Sequence, residues 1–412
     1  MSATRRGDVD CDVLIVGAGP AGSGLAAALC RARPGLDVVV ADRAAFPRDK
    51  PCGDGISPRA ALLLHEMGAG AVVAGYPPND GCCIVGPDRT MMRSQGIPSR
   101  HGGLIAGYTI PRTVLDHRLL EHAVCAGARF WPDTRFVETA LDDAARSTTL
   151  RNGSESVLVR SRLLVGCDGA YSGVRRALGV TKPPRSATAV AARAYLEWST
   201  PDAALRPLRF VFRPRLLPAY GWLFPISATT ANIGVGLSMA GGPELRGAVR
   251  DFLAELVAGD STFDVPPRAL RGHLLPHAAD RPPLALDRAA LVGDAASMIN
   301  PVSGEGIYYA LCAGLMLTEH IAAVDLADGA ALGRALSAYQ RAFRSRFAKH
   351  YRSARIARRV ASSERLCVAS IRAAAANERS TRDAASLLFG DGSTGLADAA
   401  RLIMSATRNA IR

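Results

Sequence analysis

The chain has 412 residues, too many for one small hydrophobic core and enough for two or three domains. With 48% hydrophobic, 21% charged and 6% aromatic residues it is globular, which excludes disorder, collagen and a mini-protein scaffold. The net charge is +13, but residues 331–412 carry sixteen basic residues against five acidic ones, so +11 of it lies there and the body is nearly neutral.

Met1–Asp12 carries Arg5, Arg6, Asp8, Asp10 and Asp12 and lacks the apolar core of a secretory signal, so a cytoplasmic protein is expected. The uncharged run Val13–Cys30 is interrupted by Gly17, Gly19, Pro20, Gly22 and Gly24, which argues against a transmembrane helix. Nine cysteines, an odd number with no CxxC pair, point to reduced and mostly buried thiols rather than a disulfide framework or a zinc ribbon.

In chain order, Asp12-Val-Leu-Ile-Val-Gly17 reads as a buried strand and Ala21–Arg33 as an alanine-rich helix stopped by Pro34-Gly35. Val38–Asp42 is a second buried strand, and this strand–helix–strand unit makes a parallel sheet the default. Ser57-Pro58 has the chemistry of an N-cap followed by the first helical position, for a helix through Met67. Pro111 opens a helix to about Ala126, closed by Gly127, and short alternating strands run from Ala128 to Leu158. Leu163-Leu-Val-Gly166 is another buried strand, and residues 187–237 are strand-like. Glu244–Ala258 reads as an amphipathic helix, Ala289–Val292 as a strand, and a long helix starts near Gly304. The fold class is therefore α/β: a Rossmann-like domain from residues 1–75, 111–180 and 276–330, a smaller sheet-based substrate domain from 76–110 and 181–275, and a basic helical region at 331–412.

Gly17-Ala-Gly19-Pro-Ala-Gly22 follows a strand and opens a helix, and Asp42 ends the next strand 20 residues later. The glycines allow a tight turn and let backbone N–H groups approach a pyrophosphate, while Asp42 can accept hydrogen bonds from an adenosine ribose. Gly390-Asp-Gly392-Ser-Thr-Gly395 has the same spacing but no room for a following strand, and reads as a helix-breaking loop. Pro111-Arg112-Thr-Val-Leu-Asp116, Val165-Gly-Cys-Asp168-Gly169 and Leu291-Val-Gly293-Asp294-Ala-Ala296 come next, and Gly304-Glu-Gly306 starts the long helix. In order and spacing the first three resemble the flavin motifs of the group A flavoprotein monooxygenase superfamily, the p-hydroxybenzoate-hydroxylase-like proteins. That resemblance implies FAD, held by Gly17, Gly19, Gly22, Asp42, Arg112, Asp168, Gly293, Asp294, Gly304 and Gly306. Asp294, at the carboxyl edge of the sheet, would meet ribityl hydroxyls, and the helix N-terminus after Gly306 would stabilise charge on the reduced ring.

Pro47–Gly55 with Pro51-Cys52-Gly53-Asp54-Gly55, Pro218-Ala-Tyr220-Gly-Trp222-Leu-Phe224-Pro225, Asn232–Gly236 and Asn300–Tyr309 resemble the geranylgeranyl reductase family, including bacterial relatives that saturate a menaquinone side chain. The resemblance spans about residues 10–330 and implies that Tyr220, Trp222 and Phe224 wall a lipid tunnel with Cys52 near the isoalloxazine. Cys52-Gly-Asp-Gly55 departs from the more usual CGGG, and Ser297-Met-Ile stands where small residues are common.

Reduction of an isolated alkene needs a hydride and a proton with no carbonyl to stabilise a carbanion, so an aromatic wall that favours positive charge suits it. Cys52 is then the candidate proton donor and Tyr220 and Trp222 complete the catalytic set; Asp54 replaces Cys52 only if burial raises its pKa. The structural alternatives are a core-facing aromatic stripe and a small buried thiol. His273 and His277 are separated by Pro276 and no HExxH exists, so no metal is expected. No GxSxG elbow supports hydrolysis.

Tyr339, Phe343, Phe347 and Tyr351 recur every four residues among arginines, which either packs on the body or meets an anionic membrane surface on its cytoplasmic face. No recognition module supports nucleic-acid binding. The reading is an FAD-dependent reductase of isoprenoid double bonds, with NAD(P)H or a ferredoxin-like carrier as electron donor. Its rivals are an NAD(P)H-dependent FAD hydroxylase acting on a small aromatic or natural product, and a non-catalytic FAD-containing lipid carrier. Sequence assigns no oligomeric state.

Overall fold

Four buried residues, Val13–Val16, sit at the centre of the larger sheet because both of its faces are covered, as continuous apolar runs require. In this computed structural model, described for residues 5–95, 97–98, 104–142, 144–197, 207–239, 251 and 268–389, that strand is longer than the apolar run and spans Arg5–Val16. Its polar first half is recruited by backbone pairing with Glu155–Gly166, parallel to it. The sheet order is Thr134–Leu141, Arg146–Asn152, Glu155–Gly166, Arg5–Val16, Val38–Ala41, Arg129–Trp131, with Ala289–Leu291 pairing beside Leu164–Gly166.

The helices are α1 (Pro20–Ala32), α2 (Pro58–Glu66), α3 (Arg112–Cys125), α4 (Gly173–Ala177), α5 (Ile307–Ile321), α6 (Gly329–Ala361), α7 (Glu364–Ala375) and α8 (Glu378–Phe389). Ser57 caps α2 by accepting from the Ala60 N–H, as its place before Pro58 predicts. Gly127 at φ +113° closes α3 in a conformation that suits glycine.

A second sheet of seven strands is antiparallel except for one parallel pair, in the order Arg268–Pro276, Thr188–Glu197, Thr230–Ser238, Gly221–Pro225, Leu208–Val211, Cys82–Val85, Met91–Ser94. Its segments come from 82–94 and 188–276, and those of the first sheet from 5–41, 129–166 and 285–291. Apart from residue 251, the helix expected at Glu244–Ala258 lies outside the described residues, as does the loop at Gly390–Gly395.

The aromatic stripe of α6 faces inward. Tyr339, Phe343, Phe347 and Tyr351 are buried in the main core, and the Tyr351 hydroxyl donates to the Met298 carbonyl at 2.7 Å. The stripe therefore packs on the body and is not available for insertion into a membrane; Arg341, Arg346, Lys349 and Arg352 occupy the exposed face between its turns. No helix among the described residues is long and apolar enough to cross a membrane. All nine cysteines are free; seven are buried, Cys52 is half-buried and Cys125 is exposed.

Candidate active site

The glycine turn is built by close backbone approach. Gly17 has φ +105°, and a Cβ there would lie 2.3 Å from the Cys167 carbonyl oxygen; at Gly22 it would lie 1.9 Å from that of Gly17. Neither site tolerates a side chain, so strand, turn and α1 are locked together. Gly19 differs: a Cβ there would meet only the ends of Arg48 and Arg112, at 3.5 and 3.9 Å. Two guanidinium groups thus converge on the N-terminus of α1, a place suited to an anionic pyrophosphate.

Arg112, on the first turn of α3, makes a buried bidentate pair with Asp116, both bonds 2.7 Å, and Arg48 reaches the same carboxylate at 3.1 Å. The Asp42 carboxylate accepts from the Ala18 N–H at 2.8 Å and the Ala44 N–H at 3.0 Å, so it braces the glycine turn while bordering the cavity. Asp168 also borders the cavity, but its carboxylate turns away to cap α4, accepting from Ser172, Gly173 and Val174. Asp294 follows Gly293, whose φ is +69°, and pairs with Lys50 at 3.0 Å. Burial works to raise the Asp294 pKa, but Lys50, His273 and Arg112 more than offset it and the net direction is down. Gly304, Gly306 and the start of α5 close this side.

The opposite wall is the face of the second sheet. Tyr220, Trp222 and Phe224 alternate along one strand and share a side, with ring centroids 6.4 and 6.3 Å apart, and Phe210 packs on Tyr220 and Phe224. Cys52 and Gly53 lie against this wall; a Cβ on Gly53 would be 3.0 Å from the Phe224 ring. Burial pushes the Cys52 thiol up, with the Arg112 charge opposing. All these residues border one cavity of about 630 Å³.

Sequence motifs do not reveal the network behind the wall. Trp222 Nε1 donates to Asn232 Oδ1 at 2.9 Å; Asn232 Nδ2 donates to the Cys52 carbonyl at 2.7 Å and to Asp54 at 2.8 Å; Tyr195 donates to the same Asp54 oxygen at 2.7 Å. Asp54 is fully buried, its other oxygen has no hydrogen-bond partner, and it does not border the cavity. Burial outweighs the hydrogen bonds from Tyr195 and Asn232 and raises its pKa to about 6. Glu305, between the two glycines of the loop, borders the cavity, accepts from the Tyr308 N–H at 3.0 Å and is pushed up by burial. Its only sequence signal was its place between Gly304 and Gly306.

A family profile described as an FAD binding domain matches residues 10–202. The menaquinone reductase of Mycobacterium tuberculosis is 37% identical over 329 residues, covering 78% of each chain. This chain belongs to the geranylgeranyl reductase family of flavoproteins. Digeranylgeranylglycerophospholipid reductase 1 of Methanopyrus kandleri is 30% identical over 76% of this chain and 80% of its own. A geranylgeranyl bacteriochlorophyll reductase-like structure from Thermoplasma acidophilum superposes with a TM-score of 0.77 over 97% of this chain and 96% of its own; at 20% identity it supports the fold. The glycine cradle and the two guanidiniums above it fit FAD, the cofactor the family implies.

Proposed function

We propose that this family member saturates an isolated double bond in the isoprenoid side chain of menaquinone. The observation that carries this reading is that the nucleotide cradle and the aromatic wall border one cavity. Higher identity to a menaquinone reductase than to a digeranylgeranylglycerophospholipid reductase supports the quinone.

FAD would be held by the Gly17–Gly22 turn, Arg48 and Arg112 at its phosphates and Asp294 at its ribityl chain, with Gly304 and Gly306 beside the ring. When bound it supplies the hydride chemistry of the reduction. Tyr220, Trp222 and Phe224 hold the alkene, exclude water and favour positive charge on carbon. Cys52 is the proposed proton donor, because its thiol is kept protonated by burial and it borders the cavity. Asp54 acts from behind, fixing Asn232 and through it both Trp222 and the Cys52 turn. NAD(P)H or a ferredoxin-like carrier is the proposed electron source. With the aromatic stripe buried, contact with a membrane would fall to basic surface such as the outer face of α6, as an electrostatic attraction that weakens with salt.

The test is anaerobic turnover of menaquinone by the yellow, FAD-loaded protein with dithionite as reductant, read by mass spectrometry. The expected product is two hydrogens heavier, and Cys52→Ser slows its formation while retaining flavin. An oxygenated product under air and no hydrogenated one would overturn the proposal in favour of a hydroxylase.

A further inference from the structure

The cavity-side residues of the second sheet fall into rows. Strand register sets Trp222 beside Gly234 and Gly234 beside Arg193; two residues along, Gly236, Ala191 and His273 lie abreast; two further on, Ser238, Ala189 and Leu275 do. From Gly234 to Ser238 is four residues, about 13 Å at ~3.3 Å per residue. Between the aromatic wall and this far row, Ala191, Gly236 and Ala189 leave a shallow floor, and all three border the cavity.

At the far row a cation enters from another element. Arg358, on α6, borders the cavity and donates from Nη2 to Ser238 Oγ at 2.8 Å and from Nη1 to the Pro301 carbonyl at 3.3 Å. Those bonds use two of its five N–H groups. No carboxylate among the described residues pairs with it, in contrast to Arg48, Arg112, Arg175 and Arg193, each of which has an aspartate partner. His277 borders the same end, is 2% exposed, and has no hydrogen-bond partner on either ring nitrogen. Burial and then Arg358 hold its pKa down at about 3, so at neutral pH it adds no second charge. A partly buried guanidinium with unused donors and no anion bears a desolvation cost that an oxygen acceptor would relieve.

We propose that Arg358 recognises the oxygen-bearing head of the isoprenoid substrate, a quinone carbonyl or a phosphate, with the chain lying over Ala191 and Gly236 so that one particular double bond rests on Trp222. The inference builds on the reductase reading and adds a cause for positional selectivity: distance from Arg358 to the aromatic wall sets which bond is reduced. Arg358 is a substrate-binding residue; it does not take part in proton transfer.

The test uses FAD-loaded wild type, Arg358→Gln and Arg358→Lys with two probes, menaquinone in detergent micelles and geranylgeranyl diphosphate. Equilibrium binding is read by quenching of tryptophan fluorescence, and the position of saturation by mass spectrometry. Flavin content and melting temperature check that each variant is folded. Arg358→Gln should weaken binding at least tenfold and spread saturation over several double bonds, with Arg358→Lys between it and wild type. Weakening confined to menaquinone assigns a carbonyl partner; weakening confined to the diphosphate assigns a phosphate. Equal affinity for both probes in wild type and Arg358→Gln, or no binding of either probe by wild type, would overturn the inference. Because binding is read apart from turnover, a wild type that binds in an Arg358-dependent way but reduces neither probe would instead count against the reductase reading.

Discussion

On the nucleotide side of the cavity, Asp116 and Asp294 face guanidinium or ammonium groups at 2.7 to 3.1 Å. On the sheet side, Asp54 is fully buried, its hydrogen bonds come only from the neutral donors Tyr195 and Asn232, and the charges of Arg193 and Arg112 do not offset its burial. The outcomes are opposite: Asp294 titrates below the usual carboxylate range, whereas Asp54 rises to about 6. Nearby cations stabilise a carboxylate, and burial among neutral groups disfavours it. One wall is therefore an ionic lattice suited to a charged cofactor, and the other carries an aromatic row suited to a hydrocarbon. The walls also differ in construction, since the first relies on backbone contact at Gly17 and Gly22 and the second on side chains that lock one another in place.

The largest effect should come from breaking the backbone wall. Gly22→Ala puts a methyl group against the Gly17 carbonyl, where no rotamer can relieve it, and should destabilise the protein by more than ~4 kcal/mol and abolish flavin retention. Denaturant unfolding and flavin absorbance check this; a yellow, stable variant would mean that the turn can open.

Next is Asp54→Asn, which keeps the shape and removes the ionisation. A carboxyl raised from 3.8 to about 6 binds its proton more tightly in the folded state, so stability present below pH ~4 is lost as pH rises through about 6. The rise corresponds to roughly 3 kcal/mol at most. Melting temperature should fall from pH 4 to 7 in wild type more steeply than in Asp54→Asn. Parallel profiles would show that Asp54 is not held toward its neutral form.

The smallest change sharpens the comparison at the sheet wall. Trp222→Phe keeps an aromatic surface but leaves Asn232 Oδ1 without its donor, at a cost of about 1–3 kcal/mol. Because Asn232 also holds the Cys52 carbonyl, turnover should fall while flavin affinity stays unchanged. A loss of flavin in this variant would show that the two walls are coupled.

Much of the nucleotide wall was legible because its parts are local. A glycine pattern between strand and helix, an acid at the end of the next strand and a proline before α3 each act within a few residues, and the spacing itself carries the geometry. The aromatic wall was legible as an alternation, though periodicity cannot say what such a stripe faces. The stripe on α6 illustrates this: the same reasoning allowed a membrane surface or the core, and packing against the main core decided it.

From the sequence alone came the α/β class, the dinucleotide turn, the FAD assignment and the alternate spacing of Tyr220, Trp222 and Phe224. Tertiary structure decided the rest. Asp54 and Asn232 are 178 positions apart, and Arg358 lies 120 positions from the Ser238 it bonds. No local spacing encodes such contacts. Which buried polar groups find partners, and which remain unpaired, depends on how two sheets and a long helix close around one cavity, and that closure is set by the summed burial of apolar surface rather than by any single motif.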